Sequence, residues 1–214
     1  MPEESANCGG EKPVSFWRRL HQSHANQRRI ETLAAHLDRL APQNARLLDV
    51  GCGDGRVGNT LQQRRPDIRY EGIEVVVREG SAILVSRFDG LHIPFDDDAF
   101  DGVVLIDVLH HAADPVALLR EAMRVSRAHL YIKDHRSDGL FARATLCFMD
   151  RVGNEGHAMD MPHDYWSEAK TRAVWAELGL EVDEFTRDVN LYAWPASLVF
   201  GRSLHYFARL AIPH

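Results

Sequence analysis

Apolar residues at positions 30, 33, 34, 37 and 40 draw one stripe along a helix predicted from about Phe16 to Leu40. Ala41-Pro42 ends it. Leu47, Leu48 and Val50 then predict a buried strand that runs straight into glycines at 51, 53 and 55. Val57 and Leu61, four residues apart, mark the face of a helix starting in that loop, and Pro66 closes it. Tyr70 to Val77 reads as a second strand. The segment Arg78 to Arg87, with Gly80 and Ser81, is too short and too turn-rich for a full helix. Gly102 to Ile106 is a continuous apolar run, as expected of a strand buried on both faces. Asp114-Pro115 supplies an N-cap and a first-turn proline for the helix of Val116, Leu119 and Met123. His129 to His135 reads as a fifth strand, and Trp166 to Leu178 as a helix stopped by Gly179. Leu180 to Val182 begins a sixth strand. Leu191 to Leu210 reads as a final antiparallel strand followed by a helix from about Ser203. The alternation predicts an α/β fold.

The glycine loop carries the chemistry. A residue without Cβ lets the chain turn tightly and lets a ligand lie against the backbone. Two ligand classes compete for it. Gly53-x-Gly55-x-x-Gly58 fits the fingerprint that seats a pyrophosphate on a helix N-terminus, which would make the chain an NAD(P)-dependent oxidoreductase. The longer pattern sets the acidic Asp49 just before three alternating glycines, and a carboxylate there suits a cationic ligand better than a pyrophosphate. Glu74 stands 23 residues past Gly51 (74 − 51), where Rossmann-like folds place an acid on the ribose diol. It supports a nucleoside without choosing the cofactor.

Leu47-Leu48-Asp49-Val50-Gly51-Cys52-Gly53-Asp54-Gly55 resembles the first motif of the class I S-adenosylmethionine-dependent methyltransferases. Phe88 to Asp101, in which Asp89 precedes the turn Ile93-Pro94-Phe95, resembles a later motif of the same family. The likeness runs from Leu47 to about Arg127. It implies a Rossmann-like, doubly wound, mostly parallel seven-stranded sheet with helices on both faces. It also implies methyl transfer from S-adenosylmethionine to a small-molecule acceptor, of the methyltransferase type 11 kind. The cofactor would be held by Asp49, Gly51, Cys52, Gly53, Glu74, Asp89, Gly90 and Asp107. A non-catalytic module binding the same cofactor is a third reading, kept open by the shortened segment after Glu74. The signature of DNA amino-methyltransferases and the Pro-Cys nucleophile of cytosine-C5 enzymes are both absent.

On this reading His110, His111 and His135 are the candidate general bases, because they fall at the carboxyl ends of strands four and five. Two adjacent histidines on a strand face opposite ways, which argues against one metal held by His110 and His111. Asp96, Asp97 and Asp98 read as a solvated turn, and no metal is assigned.

The domain plan is a disordered stretch at 1–15, a helical cap at 16–44 and the Rossmann-like domain at 45–214. Within it an insertion at about 138–163, with Leu146, Phe148 and Met149, would roof the acceptor. The sharper reading of the cap is a lid in which Phe16 and Trp17 reach the substrate.

A net charge of −6 over 214 residues disfavours nucleic-acid or anionic-membrane surfaces as partners. Three scattered cysteines without a CxxC pair suggest a reducing, cytoplasmic setting. Polar residues fill the N-terminus, and no apolar run is long enough to span a bilayer.

Overall fold

The computed structural model describes residues 16–139, 142, 144–147, 164–194, 197–201 and 204–213, with backbone only for 16–25, 199 and 200. The expected disorder at 1–15, the side chains of Phe16 and Trp17, and Phe148 and Met149 lie outside the described residues.

In chain order the elements are α1 (Phe16–Leu40), β1 (Arg46–Val50), α2 (Arg56–Arg64), β2 (Arg69–Glu74), β3 (Val85–Arg87) and β4 (Phe100–Ile106). A 3-10 turn (Leu109–His111), α3 (Pro115–Val125), β5 (Ser126–His135), α4 (Glu168–Glu177), β6 (Glu181–Thr186), α5 (Ser197–Phe200) and β7 (His205–Ala211) follow. They build one seven-stranded sheet in the order β3-β2-β1-β4-β5-β7-β6. β7 alone runs antiparallel to its neighbours β5 and β6.

Alternation along the strands splits the core between two faces. Leu47, Val104, Tyr131 and Phe207 point to the side covered by α1 and α2, where Leu33, Leu37 and Leu61 meet them. Leu48, Val103, Leu105, Leu130 and Ile132 point to the side of α3 and α4, against Leu119, Ala122 and Trp175. The apolar stripe of α1, at Ile30, Leu33, Ala34, Leu37 and Leu40, is the face it buries. Asp114 caps α3 as expected, accepting from the Ala117 N–H at 2.9 Å.

Two expectations change. The segment after Leu191 is ordered the other way: the short α5 comes first, and the strand occupies 205–211. β7 lies inside the sheet, so both its faces are buried and no period-two signal survives. His110 and His111 sit on a 3-10 turn, not a strand, and their rings lie 3.9 Å apart rather than on opposite faces.

No helix joins β2 to β3, in keeping with the shortened segment there. Ile83 packs there instead, lying where a Cβ on Gly55 would collide with it and one on Gly72 would press against it. Gly58 in α2 is fixed by a similar approach, because a Cβ there would enter the Tyr70 ring.

Tyr70 is buried and its hydroxyl is tied to Asp49, so the ring cannot yield. Gly58→Ala should therefore lower stability by about 1–3 kcal/mol in urea unfolding, although alanine is the better helix former. A stability equal to or above that of the parent would mean that α2 can lift off the sheet without cost.

Candidate functional site

The strand order reverses beside β1, and in open α/β sheets the crevice at the carboxyl ends of such strands takes the ligand. Three groups of residues stand on that rim.

The first is the glycine loop. Gly51, Gly53 and Gly55 all adopt positive φ, at 71°, 59° and 72°. Gly51 also passes Val108 so closely that a Cβ would lie 2.6 Å from its Cγ2. The Glu74 carboxylate holds the loop from β2: Oε2 accepts from the Gly53 N–H at 2.8 Å and Oε1 from the Val75 N–H at 2.9 Å. Cys52 turns its sulfur inward against Gly72. Burial, with Asp49 and Glu74 nearby, pushes its thiol far above the ordinary range.

Asp49 does not face the loop's open side. It is 2% exposed, and Tyr70 donates to its Oδ2 at 3.0 Å while Oδ1 has no partner. Burial raises this carboxyl to about 7 against the opposing hydrogen bond from Tyr70. It serves as a buried anchor beneath the glycines.

The second group is the turn at Asp89. Its Oδ1 accepts from the Leu91 and His92 amides at 2.8 and 2.7 Å, which lower its pKa, and Gly90 follows at a φ of 92°. The side chain remains exposed beyond β3, so its outer oxygen faces open space apart from His92.

The third group lies at the ends of β4 and β5. Asp107 has a φ of 55°, rare for a residue with a Cβ. Its Oδ1 accepts from Lys133 and its Oδ2 from Arg29 of α1. Burial raises the Asp107 carboxyl, but Lys133, His135 and Arg29 outweigh it and hold it well below the carboxylate range. Lys133 is 1% exposed, and burial lowers its pKa against the pull of Asp107.

Next to this triad, Asp134 Oδ1 bonds His110 Nδ1, and its Oδ2 accepts from the Leu109 N–H at 3.1 Å. His135 Nδ1 stands 3.4 Å from Asp134 Oδ1 and 3.5 Å from Asp107 Oδ1. Burial first, then Lys133, depress the His135 pKa, against the pull of Asp107 and Asp134. Tyr165 stacks on His110, and a cavity of about 10 Å³ behind His110 has room for one water.

The structure thus brings His110, His111 and His135 together on one rim, with His110 and His135 buried and His111 half-buried. It also adds residues that sequence reasoning did not assign. Arg29 reaches in from α1. Asp134 ties the histidines, and Tyr165 covers them. His205 of β7 lies 4.8 Å from the His135 ring. Lys133 and Asp134 left one signal, two charges in an otherwise apolar strand; Arg29 left none that sets it apart from Arg28. From the insertion, Ala142 and Leu146 pack with Tyr165 and Leu204, close to the histidines.

A family described as a methyltransferase domain matches residues 21–184. The methyltransferase GfsG of Streptomyces halstedii is 31% identical over 123 residues, covering 49% of this chain and 41% of that protein. The demethylmenaquinone methyltransferase of Roseiflexus castenholzii is 33% identical over 96 residues, covering 40% of each. The chain therefore spans about two fifths of the length of these curated relatives. A putative methyltransferase solved with the Haloferax volcanii Trm112 methyltransferase activator shares the fold, with a TM-score of 0.65 at 20% identity over 92% of this chain and 96% of that one.

Asp49 predicts a pH dependence. Its folded pKa of about 7 lies above the unfolded value near 3.9, so between these values the folded state keeps a proton that the unfolded state has lost. The stability this confers is complete at pH 4 and drains away as pH rises to 7, with a slope of up to about 1.4 kcal/mol per pH unit. Asp49→Asn, neutral throughout, should gain on the parent protein steadily from pH 4.5 to 7.5 in ligand-free urea melts. A constant difference across that range would show that Asp49 is ionised when folded.

Proposed function

We propose a reaction for a chain that belongs to the class I S-adenosylmethionine-dependent methyltransferase family. S-adenosylmethionine is its cofactor, which sets aside the dinucleotide reading of Gly53-x-Gly55-x-x-Gly58. The chain transfers the sulfonium methyl to a small-molecule acceptor by in-line displacement, leaving S-adenosylhomocysteine. One observation carries the choice of acceptor: the side chains beside the glycine loop are roofed rather than laid out on a surface. His110, His135, Tyr165 and Leu146 are all buried at that rim. A covered, aromatic-walled site suits a compact acceptor with an apolar body. The name of the Roseiflexus relative points the same way, since it specifies a quinone-type small molecule.

In this reading the loop of Gly51 and Gly53 takes the amino-acid end of the cofactor. Glu74 offers the ribose diol the lone pairs that the Gly53 and Val75 amides leave over. Asp89 faces the adenine amine. The protein's main work is to hold nucleophile and methyl in line, which can lower the barrier by roughly 7–11 kcal/mol. If the acceptor keeps its proton, as a hydroxyl does, a base must remove it. His111, the least buried of the three histidines, is the group proposed for that step; His110 and His135 form the wall behind it. Among the described residues no helix is long and apolar enough to cross a membrane.

Incubation with S-adenosylmethionine labelled in its methyl group and a fractionated cell extract tests the acceptor class. Label should appear in the low-mass organic fraction. Label confined to protein or RNA would overturn the small-molecule reading while leaving methyl transfer intact. Glu74→Gln should weaken S-adenosylhomocysteine binding roughly ten- to hundredfold by calorimetry, from the lost charged hydrogen bonds. An affinity equal to the parent's would remove Glu74 from the cofactor site.

A further inference from the structure

We propose that Asp107, His110, Asp134 and His135 form a binding site for one divalent first-row transition-metal ion. One donor atom from each of the four lies within 4.8 Å of all the others. His135 Nδ1 is 3.5 Å from Asp107 Oδ1, 3.4 Å from Asp134 Oδ1 and 3.5 Å from His110 Nδ1. Four ligands placed tetrahedrally at about 2.1 Å from an ion stand roughly 3.4 Å apart, so three of the spacings already have the required length. The remaining close pair, His110 with Asp134, must part as the ion enters.

The donor chemistry selects the ion. Two imidazoles with two carboxylates suit zinc or its first-row neighbours, whereas magnesium and calcium sites are built from oxygen. Held ligands bind better than mobile ones, and these are held. The Leu109 amide fixes Asp134, and Arg29 holds the other oxygen of Asp107, while Lys133 shares its donor oxygen Oδ1. His110 is packed against Tyr165. A second feature points to the same place. His205 is 4% exposed, its two ring nitrogens have no hydrogen-bond partner, and its ring lies tilted beside that of His135. A buried polar ring without partners is costly, and a water on the ion would supply one.

The charge balance makes the site testable. Arg29 and Lys133 cancel Asp107 and Asp134, so a divalent ion adds two uncompensated positive charges. Arg29, whose side chain is about one third exposed, is the group that opposes binding and can leave for solvent. Removing it should therefore tighten the ion's hold, the reverse of what loss of an ordinary supporting contact would do.

The full chain, stripped with EDTA and titrated with zinc chloride by calorimetry, should bind one equivalent with a Kd of roughly 1 μM or tighter. Arg29→Gln should bind roughly tenfold more tightly, and His135→Gln roughly hundredfold more weakly. Cobalt(II) in the parent protein should show the strong visible bands of a four-coordinate ion. The absence of a binding heat at millimolar zinc would overturn the proposal. So would zinc binding unchanged in both variants, or a pale six-coordinate cobalt spectrum. If His135→Gln does not fold, the direction of the Arg29→Gln effect and the cobalt spectrum still decide. None of these measurements reads methyl transfer, so their failure is separate from failure of the proposed reaction.

Discussion

A lysine ammonium sealed among strands β4, β5 and β7 constrains everything around it. Lys133 has almost no contact with solvent, and an unpaired charge at such depth costs several kcal/mol. Asp107 must therefore stand beside it, and to do so the chain accepts a left-handed backbone at a residue with a Cβ. That kink ends β4 and throws the next residues into the 3-10 turn that carries His110 and His111. The second oxygen of Asp107 accepts from Arg29 and so ties α1 to the end of β4. One buried pair thus sets a strand end, a histidine turn and a helix position together.

The opposite end of the rim is built by substitution. Where a full crossover helix would cover β2, a single isoleucine packs over the glycines of the loop and of β2. Glu74 takes up the amides that the loop leaves unpaired. That end of the rim is left thinly walled, and Val76, Val77 and Leu84 remain exposed there.

Much of this was legible in the residue pattern. The glycine loop, the Asp89 turn, the capped α3 and the missing helix after β2 each leave a local signature, and local chemistry fixes them. The sites of failure share a cause. β7 is buried on both faces, so alternation could not mark it, and its segment read as a helix. Asp49 beside three glycines suggested a carboxylate facing a ligand, yet only the approach of Tyr70 from β2 shows that it points inward. Arg29 and Arg28 are neighbours of one type on one helix. Which of them reaches Asp107 and which reaches Asn190 depends on how α1 lies across the sheet, and no sequence neighbour encodes that.

The sheet order has a consequence for how the chain assembles. β7 is the last strand in sequence, yet it sits between β5 and β6 and carries all the pairing of β6. β6 therefore joins the sheet only through a segment that follows it in the chain. Until β7 arrives, β5 is an open edge whose buried residues include Lys133, Asp134 and His135. β7 closes two ladders, one with β5 and one with β6. Such closure depends on contacts distant in sequence, the kind that slows folding most. The histidine wall is thus completed only where His135 meets His205, 70 residues further along the chain (205 − 135).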